Sequence, residues 1–415
     1  MEAALSQRPA ADHIRAFYDA RDYRPLWVDG GRLRPEAAII LAMAEGASAD
    51  GLTSPAYHPA AVRNVVTEAR DGDRTALARA ELVLSAAYAA YVSDLHRPPG
   101  GSRPAFVDPA LRSPEIGPRE ALEALAKAPE LSEHIAQARR MHPIYEELRG
   151  QLQVIRAAKG PADPLEPLIL ANMARARALP ADPGRRYILV DAAAQRLWLY
   201  EGGRPVDSMK VIVGTPSAQT PVMAGLMRYA NFRPYWNIPP DIVRDEIAPH
   251  VLREGVGYLE RQEMEILSDW TPAARLVDPE QVDWAAVRSG AVTLRVRRRP
   301  GAYNILGQVK LMLPNPLGIY LHDTPNKQPF GAERRLLSHG CVRLEDAQRL
   351  ARRLLGPVAD NPPAGDDARV DLPEPIPVYI VYFTLAPGPD GLERRPDVYG
   401  RDPPLRAELG SPPAG

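Results

Sequence analysis

The sequence predicts an α+β multidomain protein: a helical N-terminal scaffold domain followed by a β-sandwich domain with a partly helical capping insertion. Residues 75–95 carry apolar side chains at every third or fourth position, which is the spacing of one helix face. From residue 186 onward, short apolar runs alternate with turn residues. Hairpins and loops, rather than regular long helices, join these runs, which favours an antiparallel or mixed sandwich over a doubly wound sheet.

The N-terminal half is predicted to be helical throughout. Residues 1–158 are interpreted as a scaffold domain without chemistry of its own, and residues 159–184 as a linker with one short helix over 165–178. Within the scaffold domain, helices are expected over residues 7–19, 35–45, 75–95, 118–128, 129–140 and 142–158.

The C-terminal half carries the predicted strands. Residues 185–386 are expected to form one catalytic domain, and residues 387–415 a Pro-rich tail. An insertion at about residues 239–300, helical over 241–248 and 279–289, is expected to cap the site. A helix is predicted directly after the cysteine, over residues 345–355. Strands are expected over residues 186–190, 196–200, 205–213, 229–236, 291–298, 318–322 and 378–385.

Composition excludes several classes of protein. The 415 residues carry a formal net charge of −1, so no overall positive field attracts nucleic acid. The longest nearly apolar run, residues 82–92, is far shorter than the ~18–20 residues that a membrane span needs. A single cysteine, Cys341, permits no intrachain disulfide. The N-terminus lacks the basic and apolar regions of an export signal, so the chain is either cytoplasmic or a mature exported protein without its signal.

Residues 319–344 contain the candidate site, because they bring together the cysteine and two of the eight histidines. A strand is expected to deliver His322, and Gly340-Cys341 is expected to precede a helix. The dipole of such a helix would favour the thiolate, and a nearby histidine can accept the proton. Backbone N–H groups of the same turn would stabilise an oxyanion, while Gly340 permits the turn. The pattern indicates a cysteine nucleophile.

Two other interpretations of these residues remain open. A lone cysteine is more often a small buried apolar residue than a nucleophile. His322, His339 and Cys341 could also form a zinc site. Against the zinc site, the sequence offers no second cysteine and no His-Glu-x-x-His run.

The motif resembles the YkuD-type L,D-transpeptidases of bacterial cell-wall synthesis. The resemblance extends to residues 186–214, to Thr220-Pro221 and to residues 234–239. When Phe17-Tyr18 and residues 25–27 are included, the sequence is similar to the long YcbB-like branch over about residues 12–385. The small peptidoglycan-binding domain of that branch is predicted to be missing. Arg343 stands at a position where many members of the family have Asn. The family signature reads here as His322, a loop, and Ser338-His339-Gly340-Cys341-Val342-Arg343.

The resemblance implies acyl transfer through a thioester on Cys341. The thiol would attack the carbonyl between the third residue of a stem tetrapeptide and its terminal D-Ala, and the amine of a second stem would complete a 3→3 cross-link. His322 would act as base and then as acid, with its other ring nitrogen held by the carbonyl of Asp323. His339 and Gly340 would shape the oxyanion hole with Cys341. The residues expected to contact substrate are Arg343, Trp236, Tyr320, Ser338, Asp323 and Asn237.

Several alternatives accompany this reading. Trp236 and Tyr320 could instead pack in the sandwich core. The function could be that of an L,D-carboxypeptidase or amidase, of a transpeptidase that joins a lipoprotein to the wall, or of an inactive wall-binding scaffold. The basic run at residues 295–299 is expected to bind stem-peptide carboxylates.

The resemblance also implies where and with what the protein works. No metal and no organic cofactor are implied. The expected partners are peptidoglycan stem peptides, with a tetrapeptide as donor and diaminopimelate as acceptor. A periplasmic monomer is expected, free or tethered to the inner membrane through an N-terminal segment outside this chain.

Overall fold

The computed structural model describes residues 12–71, 73–100, 103–112, 115–159, 163–388 and 390–410. Contacts between backbone positions divide the chain into two compact units. Unit 1 comprises Met1–Ala105, Ala110–Pro183 and Tyr382–Gly415, and unit 2 comprises Phe106–Pro109 and Gly184–Val381. An α+β organisation with a helical N-terminal half is therefore confirmed, although the C-terminal segment belongs to the helical unit.

The α-helices lie mostly in unit 1. None among the described residues is long and apolar enough to cross a membrane. In chain order they are α1 (Asp12–Asp19), α2 (Glu36–Gly46), α3 (Pro59–Glu68), α4 (Arg74–Leu95), α5 (Pro118–Lys127), α6 (Leu131–Ala138), α7 (Pro143–Lys159), α8 (Glu166–Ala176), α9 (Pro240–Ile242), α10 (Ala248–Glu254), α11 (Gly257–Arg261), α12 (Trp284–Ser289), α13 (Ala347–Leu355) and α14 (Asp402–Gly410).

The strands lie mostly in unit 2. In chain order they are β1 (Val28–Asp29), β2 (Arg32–Leu33), β3 (Ala105–Phe106), β4 (Arg186–Asp191), β5 (Arg196–Glu201), β6 (Arg204–Gly214), β7 (Met223–Phe232), β8 (Trp236–Ile238), β9 (Met264–Leu267), β10 (Leu276–Val277), β11 (Arg295–Arg298), β12 (Val309–Met312), β13 (Leu321–His322), β14 (Leu336–Ser338), β15 (Val342–Leu344), β16 (Ala368–Val381), β17 (Leu385–Gly388) and β18 (Gly391–Arg394).

In unit 1, α4 is the long central helix that the apolar spacing predicts. Its N-terminus is capped by Asp73, whose carboxylate accepts hydrogen bonds from the backbone N–H groups of Thr75 and Ala76. Leu84 and Tyr88 are fully buried on its inner face. The predicted helix over 7–19 is present as α1 from Asp12 onward, and residues 7–11 lie outside the described residues.

A buried carboxylate on α4 holds the segment around residues 18–27. Glu81 accepts hydrogen bonds from the hydroxyl of Tyr18 at 2.6 Å and from the backbone N–H of Trp27 at 2.9 Å. Ser85, one turn along, accepts a hydrogen bond of 2.8 Å from the indole N–H of Trp27. The aromatic pattern that resembled the long branch therefore has a structural role in this unit, because it pairs the polar groups of α4 that burial would otherwise leave unpaired.

The C-terminal segment differs from the predicted strand and tail. The strand expected over 378–385 begins ten residues earlier and ends at Val381, and β17, β18 and α14 follow within unit 1. Asn172 of α8 accepts a hydrogen bond from Thr384 N at 2.9 Å, and Arg175 of α8 pairs with Asp402 at 2.7 Å. The linker helix is thus a buried core element, to which the C-terminal segment is bonded. Residues 389 and 411–415 of the predicted tail lie outside the described residues.

The sheet of unit 2 closes on itself. Its strands pair in the order β12-β13-β15-β6-β5-β4-β16-β7, and β12 pairs with β7 as well. β4, β5 and β6 form the predicted antiparallel meander, whereas β13 and β15 are parallel neighbours. The strands expected to form the layers of a sandwich are therefore joined through the β7–β12 pairing.

The strand predicted over 318–322 is present as the shorter β13, but sequence periodicity missed β14 and β15 on either side of the cysteine. β15 occupies residues 342–344, so the helix predicted over 345–355 begins at Ala347, six residues after Cys341. The prediction of a cysteine at a helix N-terminus is wrong, because the intervening residues pair with both β13 and β6. Three residues, Val342-Arg343-Leu344, are enough for a strand when neighbours exist on both sides, yet too few to show a period.

The insertion folds around its own sheet, which begins slightly before the predicted boundary. β8, β9, β10 and β11 pair in the order β10-β9-β11-β8. A π-helical turn, Val243–Ile247, joins α9 to α10 and packs on this sheet. Trp236, Ile238, Val296 and Leu306 are among the buried residues of the resulting apolar cluster. We call residues 236–300 the lid.

Candidate active site

Five polar or charged residues share one face of three neighbouring strands. The register pairs Lys310 of β12 with His322 of β13, and His322 with Arg343 of β15. Successive side chains of a strand point to opposite faces, so Tyr320 precedes His322 on this face and Cys341 precedes Arg343. The intervening residues Leu311, Leu321, Val342 and Leu344 are completely buried on the opposite face. The alternation therefore delivers the polar set to one side and the core set to the other.

Cys341 is half-buried, and its thiol donates a hydrogen bond to the carbonyl of Gly318 at 3.4 Å. Burial raises the pKa of this thiol. Hydrogen bonds from the backbone and hydroxyl of Tyr320 oppose the rise, as do the positive charges of Lys310 and Arg343. The protonated thiol is therefore the ground state at neutral pH, which contradicts the thiolate expected from a helix dipole.

His322 is buried, and its Nδ1 lies 2.5 Å from the carbonyl of Asp323. A carbonyl only accepts hydrogen bonds, so Nδ1 carries the proton and Nε2 offers the lone pair. This is the contact that the family resemblance implied. Burial and the positive charges of Arg343, Lys310 and Lys327 together lower the pKa of His322 to about 3, against the opposing effect of the hydrogen bond to Asp323 O. The imidazole is consequently neutral at physiological pH.

The loop before the cysteine is held by its own hydroxyl groups. Ser338 donates a hydrogen bond of 2.6 Å to the carbonyl of Cys341 and accepts one of 3.1 Å from Gly340 N. Gly340 has φ +113°, and a Cβ there would lie 3.2 Å from Ile319 Cδ1. Both the dihedral angle and the close approach therefore require glycine.

Thr220 anchors this loop to the end of β6. Its buried hydroxyl donates a hydrogen bond of 2.8 Å to Gly340 O and accepts one of 2.9 Å from Gly214 N. A Cβ at position 214 would lie 2.0 Å from Ala218 O, so this position also requires glycine. The Thr220-Pro221 element of the family resemblance thus contacts the cysteine loop directly.

Asn315 shapes the loop that carries Gly318. Its amide Nδ2 donates to the carbonyls of Leu313 and Ile319, each at 2.6 Å. Its Oδ1 accepts from the backbone N–H groups of Leu317 and Ile319, at 3.0 and 3.2 Å. With all of these bonds made by one side chain, the carbonyl of Gly318 is fixed beside the thiol. Sequence reasoning missed Asn315, for which the Pro-Asn-Pro turn was the available signal.

Arg343 presents a guanidinium with spare hydrogen-bonding capacity. Its Nε is buried and has no hydrogen-bond partner among the described residues. Burial lowers the pKa of this group, and the sulfur of Cys341 raises it. Arg343 lies on the same strand face as Cys341 and His322.

Other predicted contact residues have partners inside the protein. Trp236 is buried in the lid core, and not in the sandwich core of the alternative interpretation, and its ring faces Arg298. Asn237 is exposed on β8 and accepts a hydrogen bond from Arg295. Asp323 pairs with Lys327 at 2.6 Å and accepts from Gln308 N at 2.9 Å. Trp236 and Asn237 thus have partners within the lid, Asp323 has partners beside β13, and Ser338 holds the cysteine loop.

His339 stands apart from the other motif residues. Its side chain is exposed, and the described residues provide no group of three or more His, Cys, Asp or Glu side chains that could hold a metal ion. His322 is committed to Asp323 O through Nδ1. The zinc interpretation of His322, His339 and Cys341 therefore has no geometric support in the described part of the chain.

The fold and site define a β-rich domain with a cysteine and a histidine on one strand face, and comparison with known proteins gives its family. Residues 185–380 match the family model of the L,D-transpeptidase catalytic domain, YkuD, and residues 12–152 match that of a Scaffold domain. The chain therefore carries a YkuD L,D-transpeptidase catalytic domain over residues 185–380 and a Scaffold domain over residues 12–152.

Individual relatives agree with this family. A Haemophilus influenzae protein assigned as an L,D-transpeptidase is 31% identical over 222 residues, which are 52% of this chain and 44% of that protein. The chain therefore spans less than half the length of this curated relative. An L,D-transpeptidase from Mycobacterium smegmatis matches with 14% identity over 47% of this chain and 58% of its own, at a TM-score of 0.23. A structure of LdtMt1 in complex with imipenem matches with 13% identity over 48% and 59%, at 0.24. These two TM-scores are too low to add to the family match.

Proposed function

We propose that this protein is a cysteine L,D-transpeptidase that forms 3→3 cross-links in peptidoglycan through a thioester acyl-enzyme. The supporting observation is the shared strand face on which Cys341, His322 and Arg343 lie together. In the first step the sulfur attacks the carbonyl between the third residue of a stem tetrapeptide and its terminal D-Ala. The amide bond breaks, D-Ala leaves as the free amine, and a thioester remains.

His322 acts as the general base of this step. Its Nδ1–H is engaged by Asp323 O, so Nε2 accepts the thiol proton. Because the thiol pKa is raised and the imidazole pKa is lowered, thiol and imidazole are both neutral at rest. Proton transfer therefore accompanies the attack instead of preceding it. The sulfur first leaves Gly318 O, which needs only rotation about the Cα–Cβ bond of Cys341.

The same electrostatics favour the second half of the step. Once protonated, His322 is a buried imidazolium close to the positive charges of Arg343, Lys310 and Lys327. Such an imidazolium is a strong acid and readily gives its proton to the departing D-Ala amine. A neutral imidazole then remains to accept the proton of the incoming diaminopimelate amine. That amine attacks the thioester and frees the sulfur.

The oxyanion of each tetrahedral intermediate requires backbone donors near the sulfur. Gly340 N–H is already engaged by Ser338 Oγ, so we assign this role to the N–H groups of Cys341 and His339. Gly340 contributes its conformation, and Thr220 fixes its carbonyl. Arg343 binds a carboxylate of the donor stem through its unpartnered guanidinium edge.

The test is incubation of the purified protein with disaccharide-tetrapeptide, followed by mass spectrometry of the products. A dimer that has lost one D-Ala is expected, and Cys341→Ala abolishes it while circular dichroism stays unchanged. A carbapenem should add its mass to the wild-type chain but not to Cys341→Ala. Ser217→Ala, which changes an exposed side chain, is the matched control.

Other products would assign the neighbouring functions. Release of D-Ala with tripeptide and no dimer identifies an L,D-carboxypeptidase. A lipoprotein-derived amine incorporated in preference to a stem peptide identifies the ligating type. Cross-linking that persists in Cys341→Ala contradicts the cysteine mechanism. Because the substrate lies outside the inner membrane, we also propose a periplasmic location and a monomeric enzyme.

A further inference from the structure

Lys310 lies on the same strand face as the proposed catalytic residues, and the mechanism above uses it only as one of three cations near His322. Its register partner across β12 and β13 is His322. Its Nζ lies 4.0 Å from the ring centroid of Tyr320, which is a cation–π distance. The hydroxyl of that same ring hydrogen-bonds the sulfur of Cys341. The ammonium, the phenol and the thiol therefore form one continuous series of contacts.

The other lysines of unit 2 are paired, in contrast to Lys310. Lys210 donates a hydrogen bond to the carbonyl of Phe330 at 2.9 Å, and Lys327 pairs with Asp323 at 2.6 Å. Among the described residues, Lys310 Nζ has no hydrogen bond or ion pair. A half-buried ammonium without an adjacent anion is costly. Formation of an anion on the nearby sulfur would remove part of that cost.

We propose that Lys310 is a positioning residue of the acyl-transfer site, whose fixed positive charge stabilises the negative charge that develops on the Cys341 sulfur and holds Tyr320 against that sulfur. This inference rests on the proposed function. The proton of the thiol passes to His322 Nε2, and Lys310 stays protonated throughout, so its contribution is charge alone. It differs from Arg343, which we assign to substrate binding.

Each strand beside the thiol contributes a titratable or charged group near it. Three neighbours lower the pKa of Cys341 against the larger opposing effect of burial. They are Tyr320, which directly precedes β13, Lys310 on β12 and Arg343 on β15. Lys310 itself has its pKa lowered by burial and raised by Asp367 and Cys341. Its removal should therefore raise the pKa of the thiol.

His322 would respond to the loss of Lys310 as well. Lys310 is one of the three cations that lower the pKa of this imidazole, after burial and together with Arg343 and Lys327. Replacing it should weaken His322 as an acid toward the leaving amine. Loss of Lys310 is thus expected to reduce kcat and to leave KM for the tetrapeptide unchanged.

Alkylation by iodoacetamide tests the charge effect directly, because this probe is neutral and Cys341 is the only cysteine. Rates are measured from pH 6 to 10 by the mass of the intact chain. For Lys310→Met the pH profile should shift upward by about one unit, which slows alkylation at pH 7.5 roughly three- to ten-fold. Lys310→Arg keeps the charge and should restore the wild-type profile. Lys127→Met, an exposed site in unit 1, is the control.

Each outcome separates this inference from the proposed function. Superimposable profiles for Lys310→Met and wild type would overturn the inference while the cysteine mechanism stands. An increased KM for the tetrapeptide with unchanged alkylation would also overturn it, since Lys310 would then bind substrate. Cross-linking by Cys341→Ala would instead overturn the proposed function. If Lys310→Met unfolds by circular dichroism, Lys310→Gln is measured in its place under the same two criteria.

Discussion

The hydroxyl of Thr220 donates a hydrogen bond of 2.8 Å to the backbone carbonyl of Gly340, and so joins the end of β6 to the residue before the candidate nucleophile. The same hydroxyl accepts from Gly214 N at 2.9 Å. One buried oxygen therefore satisfies two backbone groups from different segments. The position of Cys341 depends on this oxygen, although Thr220 is distant from Cys341 in sequence.

Replacement of Thr220 by valine should slow acylation of Cys341. Valine keeps the shape of threonine but leaves Gly340 O and Gly214 N without their partner, at a cost of about 1–3 kcal/mol per unsatisfied group. The loop should then lose its fixed geometry, and the rate of carbapenem acylation should fall at least ten-fold. Thr215→Val, the same change five residues earlier, is the control. Equal acylation rates in both variants would show that Thr220 has no positioning role.

The two histidines of the motif should differ in their effect on turnover. His322 is buried and held through Nδ1, whereas His339 is exposed. His322→Gln should reduce kcat by the ~10²–10⁴-fold typical of a lost general base. His339→Gln should cost less, since only its backbone is assigned to the site. Steady-state cross-linking by both variants measures this, and a reversed order would exchange the proposed roles.

The protein should become less stable as the pH falls, and part of this loss should come from His322. Its pKa is lowered to about 3 by burial and by nearby cations, against about 6.5 in an unfolded chain. Below pH 6.5 the unfolded state therefore binds more protons than the native state, and the free energy of unfolding falls until about pH 3. The contribution is at most about 1.4 kcal/mol per pH unit.

Denaturant unfolding between pH 7 and 4 measures this contribution. The difference in unfolding free energy between wild type and His322→Gln should shrink as the pH falls, because the variant lacks the imidazole. His142 in unit 1, whose pKa burial lowers to about 4, is present in both chains and cancels. His339→Gln should keep the wild-type slope. A constant difference between wild type and His322→Gln would contradict neutral burial of His322.

Sequence periodicity predicts the long elements of this fold and fails at the short ones. α4 and the meander of β4, β5 and β6 agree with their predicted positions, because each spans enough residues to show a helical or alternating pattern. β12 and β15, which periodicity does not predict, have four and three residues. Their existence depends on neighbours from distant parts of the chain, which local sequence does not report.

The motif predicts which residues form the candidate site, but it does not predict the pKa shifts of those residues. The spacing from His322 to Cys341 identifies the residues, and the resemblance supplies the bond to Asp323 O. The thiol pKa was expected to be lowered by a helix, whereas burial raises it. Lys310 went unassigned because β12 was not predicted, although alternation in residues 309–313 places it on the face of His322. Charges that act across strands appear only once the register is known.

The arginines of the lid also show what sequence alone cannot give. Arg297 pairs with Glu265 across β9 and β11 at 2.7 Å and lies 4.0 Å over the ring of Tyr235. Arg299 is half-exposed, and its Nε lies at the longer distance of 3.9 Å from the same carboxylate. A basic run was expected to bind stem-peptide carboxylates as a unit. The contacts instead divide the run, because Arg295, Arg297 and Arg298 are engaged by other residues of the protein and the charge of Arg299 is available.

Arg297→Met and Glu265→Gln should therefore have the same effect, since each breaks the same half-buried pair. Both are expected to destabilise the lid by about 1–3 kcal/mol, seen as faster hydrogen exchange in β9 and β11, with acylation by a small β-lactam retained. Arg299→Met should leave exchange unchanged and raise KM for the tetrapeptide several-fold. If Arg297→Met raises this KM while Glu265→Gln does not, Arg297 binds substrate directly and its pairing with Glu265 is incidental.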